Sequence, residues 1–256
     1  MEDSVLQFYE QLASNYHLIF ADWKRAVLQQ GVVLDTLIRP YLGAPPLSVL
    51  DCSCGIGTQA IGLAVRGYRV HATDLSPTAV ERAEREAGSF GVAPTFGVAD
   101  LRALETQVEG AFDVVLSCDN SVPHLLSEEE LLLTARNMWS KVRANGLLLV
   151  SIRDYDQLVR EKPRAEKPRI FDSPEGRRIV FQVWDWLPGG RTYTVHLFIV
   201  SETPGDWKTA HYATEYRALL RDEFSKILRD AGFAEICWHM PEDSGYYQPI
   251  VTARKR

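Results

Sequence analysis

A glycine-rich turn that follows a short apolar strand limits the fold of this chain more than any other feature of its sequence. Residues 47–52 predict a buried strand, and Gly55 and Gly57 come directly after it. Residues 58–66 then predict a helix, and Asp74 ends a second predicted strand. Glycines at such a turn let the backbone approach a ligand beside a helix N-terminus, and a carboxylate after the second strand suits a ribose diol. The pattern predicts the first unit of a nucleotide-binding α/β sheet.

The middle of the chain continues this alternation of strands and helices. Ser76 before Pro77 predicts a helix cap with proline at the first helical position, and Ser127 with Glu130 predicts a capping box. Strands separated by helices imply a parallel sheet with right-handed crossovers. The predicted strands are 47–52, 68–74, 95–98, 112–118 and 147–152, and the predicted helices between them are 58–66, 77–88 and 128–142.

The pattern changes to antiparallel strands after the fifth predicted strand. Pro188, Gly189 and Gly190 separate two β-rich runs, which predicts a hairpin. Gly232 follows a helical run, as expected of a residue just past a helix end. The sequence therefore predicts one α/β domain with a β-rich insertion near residues 165–216. The predicted elements are a hairpin of 179–186 and 192–200, a strand at 211–216, a helix at 222–231, and closing strands at 234–239 and 248–253.

Composition and charge exclude several classes of partner. The chain has 256 residues and a formal net charge of -6, which argues against nucleic acid because such binding needs clustered Lys and Arg. Its apolar runs fall short of the ~18 residues that a membrane span needs, so we expect no membrane association. The acidic residues 1–4 do not resemble a secretory signal. Four cysteines without metal-ligand spacing predict reduced thiols, no metal site and a cytoplasmic protein.

Asp51 separates two classes of ligand that the glycine turn could hold. Residues 55–60 fit the G-x-G-x-x-A pattern of a dinucleotide site, so the glycines alone leave NAD open. A diphosphate is anionic, and a carboxylate beside the turn would repel it. S-adenosylmethionine (SAM) instead brings an ammonium and a sulfonium, which a carboxylate attracts. Asp51 therefore favours SAM over a NAD-linked oxidoreductase, with Asp74 placed at the ribose.

Polar residues after the later strands extend this predicted site. Asp100 is placed to accept the adenine amino group beside an apolar surface at Leu101, although a carboxylate there is also a common helix cap. Cys118 and Asp119 follow the fourth strand, at the carboxyl edge where open α/β sheets bind ligands. The predicted cofactor residues of the core are Asp51, Cys52, Ser53, Gly55, Gly57, Asp74, Leu75, Asp100, Leu101, Cys118 and Asp119.

With these motifs, residues 45–153 resemble the core of the class I SAM-dependent methyltransferases. The resemblance implies a Rossmann-like seven-stranded sheet whose last strand is antiparallel, with SAM as cofactor and S-adenosylhomocysteine (SAH) as product. It implies a core of residues 1–164 and 217–256 and an antiparallel β insertion, residues 165–216, over the acceptor site. Residues 1–40 are expected to form lid helices.

Several segments resemble the glycine N-methyltransferases and related small-amine enzymes more narrowly. Residues 146–156 are similar to the segment whose arginine grips the substrate carboxylate, a position that Arg153 occupies. Residues 120–125 are similar to the segment that follows strand four in that family. The resemblance extends to the lid, residues 8–23, and in part to the final hairpin, residues 246–249. The implied acceptor residues are Arg153, Asn120, His124, Tyr9 and Tyr247, and the implied cofactor residues of the lid are Tyr16 and Trp23.

The resemblance predicts N-methylation of a small carboxylate-bearing amine such as glycine. An O-methyltransferase of a small carboxylate or hydroxyl, and a SAM-binding protein without catalysis, remain alternatives. Arg153 has its own alternative as a surface residue paired with Asp154 or Asp156, and the lid aromatics have theirs as core. The expected partner is a small-molecule acceptor, and assembly into a homo-oligomer is left open.

Overall fold

The computed structural model describes residues 4–173 and 176–256, so the acidic residues 1–3 lie outside it. The helices of these described ranges include none that is both long and apolar enough to cross a membrane. The strands are β1 (Ser48–Asp51), β2 (Arg69–Asp74), β3 (Thr95–Val98), β4 (Phe112–Ser117), β5 (Val142–Ser151), β6 (Arg169–Ser173), β7 (Gly176–Trp186), β8 (Thr192–Thr203), β9 (Asp206–Arg217), β10 (Ala234–His239) and β11 (Ile250–Arg254). The α-helices are α1 (Ser4–Leu12), α2 (Trp23–Leu42), α3 (Thr58–Val65), α4 (Pro77–Ser89), α5 (Leu104–Gln107), α6 (Glu128–Lys141), α7 (Tyr155–Glu161), α8 (Arg221–Asp230) and α9 (Pro241–Ser244).

Seven of these strands form one sheet in the order β10-β11-β5-β4-β1-β2-β3. The neighbours from β5 to β3 pair in parallel, as expected of strands joined by helical crossovers. β11 lies antiparallel between β5 and β10. The predicted Rossmann-like sheet with an antiparallel last strand is confirmed.

The central strands bury both of their faces, which explains their nearly continuous apolar sequence. On one face of β4, Val115 belongs to the same core as Leu50 and Leu148. On the other face, Val114 and Leu116 belong to a separate core. Successive side chains of a strand point to opposite faces, so each central strand supplies both cores.

β5 begins at Val142 rather than at residue 147, because α6 runs directly into a strand. Asn145 has a φ of 61°, and its N–H donates to the carbonyl of Lys255 at 2.7 Å. The pairing of β4 with β5 shifts register at this point. The Asn145-Gly146 pair, which predicts a turn by its sequence, instead forms an irregularity inside the strand.

The remaining strands form a separate antiparallel sheet, described except for residues 174 and 175, in the order β6-β7-β8-β9. The predicted hairpin is present as β7 and β8, and its turn uses Gly189 and Gly190 at φ values of 92° and 65°. β8 and β9 are longer than predicted, and β6 was not predicted. β6 is an edge strand with mostly exposed side chains, so its sequence carries no burial pattern.

The helix α1 lies against the second sheet and the N-terminal end of α4. Phe8 and Leu12 pack with Leu197 and Tyr212 of β8 and β9. This packing places α1 over the carboxyl edge of the large sheet, where the predicted site residues lie.

The carboxylate of Glu10 fastens α1 to the first turn of α4. Its two oxygens accept hydrogen bonds from the hydroxyls of Ser76 and Thr78, each at 2.5 Å. Burial alone would raise the pKa of Glu10, but hydrogen bonds from Ser76 and Thr78 hold it below its usual value. Arg82 adds a hydrogen bond to the carbonyl of Ala13 at 2.6 Å. α1 and the segment up to residue 22, here called the lid, are therefore held on the core by charge-assisted contacts.

Candidate active site

Asp51 ends β1 as a fully buried carboxylate. Its Oδ1 accepts the N–H of Ser53 at 3.3 Å, whereas its Oδ2 has no hydrogen-bond partner among the described residues. Burial raises the pKa of Asp51 well above its usual value, and the negative charges of Asp74 and Asp119 add to this effect. A nearby cation would stabilise the ionised form.

Asp74 ends β2 and is held against the glycine turn. It accepts the N–H of Gly55 at 2.8 Å and the N–H of Ser76 at 3.0 Å. Burial raises the pKa of Asp74, and these two hydrogen bonds oppose the rise. Gly55 has a φ of 51°, and a Cβ there would meet no atom within 4 Å. The turn therefore uses glycine for its conformation and faces open space.

A cavity of about 230 Å³ lies over this turn and is here called the donor cavity. Its walls come from the lid, the glycine turn and the segments that follow β2, β3 and β4. The predicted site residues that line it are Tyr9, Tyr16, Cys52, Ser53, Gly55, Asp74, Leu75, Asp100, Leu101, Asp119 and His124.

Among the described residues, three of the core residues that were predicted to bind the cofactor do not line the donor cavity. They are Asp51, Gly57 and Cys118. Asp51 is fully buried behind its neighbour Ser53, and Cys118 belongs to the core of the large sheet. A Cβ on Gly57 would meet the side chain of Ile61 at 2.8 Å. Gly57 therefore allows close packing against α3, and its cofactor contact stays a prediction.

Trp23 is also displaced from its predicted place at the cofactor. It packs in a core with Ile56, and its indole N–H donates to the hydroxyl of Thr58 at 2.9 Å. Trp23 is therefore a core residue, which was the alternative considered for the lid aromatics, whereas Tyr9 and Tyr16 line the donor cavity. The difference follows from position, since Trp23 begins α2 and its ring packs in the core, whereas Tyr9 belongs to α1 and Tyr16 follows it.

Asp100 lines the donor cavity, but a neighbouring arginine holds its carboxylate. Arg102 donates to Asp100 from its Nη2 at 2.7 Å and from its Nε at 3.0 Å. Burial would raise the pKa of Asp100, but the hydrogen bonds and charge of Arg102 hold it below its usual value. The sequence prediction did not consider this competition. An adenine amino group would share the carboxylate with Arg102.

A second cavity, of about 980 Å³, lies between the lid, the second sheet and the loop before β11, and is here called the acceptor cavity. Arg153 lines it. The guanidinium donates to the hydroxyl of Tyr193 and to Oε1 of Gln182, both at 2.9 Å. Its Cζ lies 4.9 Å from the ring centroid of Trp184 and 5.2 Å from that of Tyr216. These contacts fix the guanidinium in one orientation.

The carboxylates next to Arg153 in sequence do not neutralise it. Asp154 and Asp156 pair with Arg221, at 2.7 Å and 3.4 Å. Across the described residues, Arg153 forms no ion pair with a carboxylate. The surface pairing considered from the sequence is not what the structure contains. Glu166 lines the same cavity and acts on Arg153 through its charge without forming an ion pair with it, so N–H groups of the guanidinium remain for a ligand.

Asn120 lies beside this cation, whereas His124, predicted at the acceptor, lines the donor cavity. Oδ1 of Asn120 accepts the N–H of Arg153 and the hydroxyl of Tyr155, both at 3.0 Å. Its Nδ2 is buried without a partner in the described part of the chain. The hydroxyl of Tyr9 lies 2.9 Å from Nε2 of His124. Asn120 therefore braces Arg153 and retains a donor, while His124 anchors the lid.

The two cavities meet at residues that line both. Among the described residues these are Tyr9, Tyr16 and Asp119. Tyr247 lines the acceptor cavity and donates its hydroxyl to Asp119 at 2.7 Å. A ligand in each cavity would therefore be in contact at this junction.

Sequence reasoning missed the residues that the second sheet supplies to the acceptor cavity. Gln182, Trp184 and Tyr216 line it, and Tyr193 holds Arg153 from the same sheet. A signal was available, because alternate residues of β8 from Tyr193 onward are buried and mark the inward face.

Comparison with known proteins finds a family model that matches part of the chain. Residues 49–146 match the family model described as a methyltransferase domain. The glycine/sarcosine N-methyltransferase of Parasynechococcus marenigrum (strain WH8102) is 31% identical over 138 residues, which are 54% of this chain and 48% of that protein. The chain spans about half the length, or less, of the first curated relatives that it matches.

Solved structures share the fold over most of the chain. DesVI of Streptomyces venezuelae has a TM-score of 0.78 at 15% identity, covering 95% of this chain and 98% of that one. SAM-bound CalS10, an amino pentose methyltransferase of Micromonospora echinaspora, has a TM-score of 0.72 at 14% identity, covering 90% of this chain and 92% of that one. At such identities the likeness concerns the fold.

Proposed function

Because the chain carries a methyltransferase domain on the class I fold, we propose that it transfers a methyl group from SAM to the amine of a small carboxylate-bearing molecule. The single observation that carries the proposal is that an acidic donor cavity meets, at Tyr9, Tyr16 and Asp119, an acceptor cavity that holds the fixed guanidinium of Arg153. The relatives named as glycine N-methyltransferases support an amine acceptor.

SAM fits the donor cavity because its charge complements the residues there. The unpartnered Oδ2 of Asp51 and the cavity-lining carboxylate of Asp74 give this region a negative potential. Asp74 would hold the ribose, and Tyr16 would cover the cationic end by a cation–π contact. When bound, SAM supplies a methyl group activated by its positive sulfur.

The protein itself must orient the acceptor and exclude water. Arg153 would bind the acceptor carboxylate by a bidentate pair, since Tyr193 and Gln182 fix its guanidinium. Asn120 offers its unpartnered Nδ2 as a further donor. The lid covers the junction, which keeps the acceptor close to the methyl group and away from solvent.

The state of the cysteines supports a reducing, cytoplasmic setting for this activity. All four lie in the described ranges and carry free thiols. Burial raises the pKa of the Cys52, Cys54 and Cys118 thiols well above the usual value. These three buried thiols are unreactive in this state, so we assign them no role in catalysis.

A screen with SAM carrying a labelled methyl group tests the proposed function. The acceptors are glycine, sarcosine, L-alanine, L-leucine and L-phenylalanine, each primary amine paired with the carboxylic acid that lacks its amino group. We expect label in one or more amino acids together with equimolar SAH. Label in the matched acids instead would identify an O-methyltransferase, and SAM binding without turnover of any amine would contradict the proposal.

A further inference from the structure

Asp119 lies on an unusual piece of backbone at the junction of the two cavities. Asp119 and Asn120 have φ values of 58° and 68°, so two consecutive residues other than glycine adopt the left-handed conformation. Ser151 holds this turn, because its hydroxyl accepts the N–H of Asp119 at 2.8 Å and its carbonyl accepts the N–H of Asn120 at 3.3 Å. Such conformations persist where the surroundings impose them, and they cluster at active sites.

The carboxylate of Asp119 is held by hydrogen bonds from Tyr247, Gln59 and Tyr246. The hydroxyls of Tyr246 and Tyr247 both lie near Oδ1, at 2.8 Å and 2.7 Å. Oδ2 is not used by either tyrosine. The two tyrosines therefore fix the orientation of the side chain and leave Oδ2 to Gln59 or to a ligand in the cavities that Asp119 lines.

We propose that Asp119 binds the ammonium group of the acceptor and takes a proton from it. The acceptor is then a zwitterion, with its ammonium on Asp119 and its carboxylate on Arg153. This inference rests on the proposed function and names the chemical class of its substrate.

The positions of the two charges explain how such an acceptor would be oriented. Arg153 lines only the acceptor cavity, whereas Asp119 lines both cavities. A zwitterion bound between them has its nitrogen at the junction and its carboxylate away from it. A molecule without an ammonium would keep only the contact with Arg153.

The proton step follows from the need for a lone pair on the attacking nitrogen. One N–H bond of the ammonium breaks, an O–H bond forms on Asp119, and the electron pair stays on nitrogen. Burial raises the pKa of the Asp119 carboxyl, so it accepts a proton more readily than an exposed carboxylate does. The hydrogen bonds from Tyr247, Gln59 and Tyr246 oppose this rise in the pKa of Asp119.

Groups from several elements act on the ionisation of Asp119. A negative charge near Asp119 favours its protonated form. Such a charge comes from the Asp51 carboxylate, and would come from Tyr16 or Cys118 if either lost its proton. Arg153 shares the acceptor cavity and favours the ionised form. The titratable groups that act on Asp119 directly are Tyr16 of the lid, Asp51 at the end of β1, Cys118 after β4, and Tyr246 and Tyr247 before β11. The other titratable or charged groups in the walls of the two cavities are Tyr9, Cys52, Cys54, Asp74, Asp100, Arg102, His124, Glu130, Arg153, Asp154, Glu166, Arg169, Glu215, Tyr216 and Glu242.

Calorimetry on the SAH-loaded protein tests this assignment without turnover. The probes are L-leucine with 4-methylpentanoate, and L-phenylalanine with 3-phenylpropanoate, so that each pair differs by its ammonium. We expect the wild type to bind each amino acid about 10-fold or more tightly than its matched acid, and Asp119→Asn to lose that preference. Asparagine tolerates the left-handed backbone, so this variant should keep the turn.

Kinetics with the best amino acid of the acceptor screen give an independent readout. Asp119→Asn should lower kcat/KM about 100-fold and remove the acid limb of its pH profile, while SAM affinity changes less than about threefold. Tyr247→Phe removes a hydrogen bond that lowers the pKa of Asp119, so it should move that limb to higher pH.

Two results would overturn the inference. If the Asp119→Asn variant retains the preference for amino acids, the ammonium binds elsewhere. If this variant loses as much SAM affinity as kcat/KM, Asp119 acts at the cofactor. If Asp119→Asn does not fold, an unshifted acid limb in Tyr247→Phe contradicts the proposal. A wild type that methylates no amine refutes the proposed function itself, whereas the calorimetric comparison still reports on Asp119.

Discussion

Replacing Arg153 by lysine separates the shape of the acceptor anchor from its charge. The guanidinium is fixed by Tyr193 and Gln182 and stacked on Trp184 and Tyr216, so its remaining N–H groups can meet both oxygens of a carboxylate. A lysine ammonium keeps the positive charge but has no planar fork. It therefore offers a point contact in place of a bidentate pair.

The expected loss follows from the number of hydrogen bonds. Each hydrogen bond to a charged group contributes about 1.5–3 kcal/mol. Arg153→Lys gives up about one such bond, or roughly 2 kcal/mol, which corresponds to a loss of about 30-fold in kcat/KM for the acceptor. The donor cavity does not include Arg153, so SAM affinity should change less than about threefold.

Initial-rate kinetics with the acceptor varied, and calorimetric titration with SAM, measure the two effects separately. Arg143→Lys is the matched control, because Arg143 pairs with Asp113 at the opposite edge of the sheet. We expect the control to retain wild-type kcat/KM. Equal losses of acceptor and SAM affinity in Arg153→Lys would refute the reasoning, since they would show that Arg153 supports the fold rather than the acceptor.

Two further variants test the charges around the donor cavity. Burial raises the pKa of Asp51, so the folded protein loses stability as pH rises through that raised pKa and the carboxylate ionises. Asp51→Asn should therefore raise the Tm of the free protein by about 2–4 °C at pH 7.5, with a smaller gain at pH 5. The same variant should weaken SAM binding in calorimetry. Glu10→Gln should raise the Kd for SAM about 10-fold by loosening the lid from Ser76 and Thr78, and an unchanged Kd would show that the lid does not hold the cofactor.

The parts of the fold that the sequence predicted well are those with local signals. Ser76 caps α4 and Ser127 caps α6, as their sequence neighbours indicate. The start of β5 was predicted wrongly because Asn145-Gly146 has the local chemistry of a turn. Its conformation depends instead on Lys255, which directly follows the distant strand β11. Pairing between remote segments leaves no trace in a local pattern.

The candidate site shows the same division between local and distant information. Asp74 and Gly55 follow from one motif, and the structure brings them into direct contact. The environment of Arg153 does not follow from its own segment, because Tyr193 and Gln182 come from the second sheet. Arg102 was overlooked because its effect on Asp100 depends on side-chain geometry rather than on residue type.

We infer that SAM binds the donor cavity through the carboxylate of Asp74. Calorimetric titration of Asp74→Asn with SAM tests it, with Asp113→Asn as a control that makes the same change at the start of β4, at the opposite edge of the sheet. We predict that Asp74→Asn raises the Kd for SAM about 10-fold or more, the equivalent of one charge-assisted hydrogen bond, while the control retains wild-type affinity. A wild type that does not bind SAM, or an Asp74→Asn variant that binds it as tightly as the wild type does, would contradict the account.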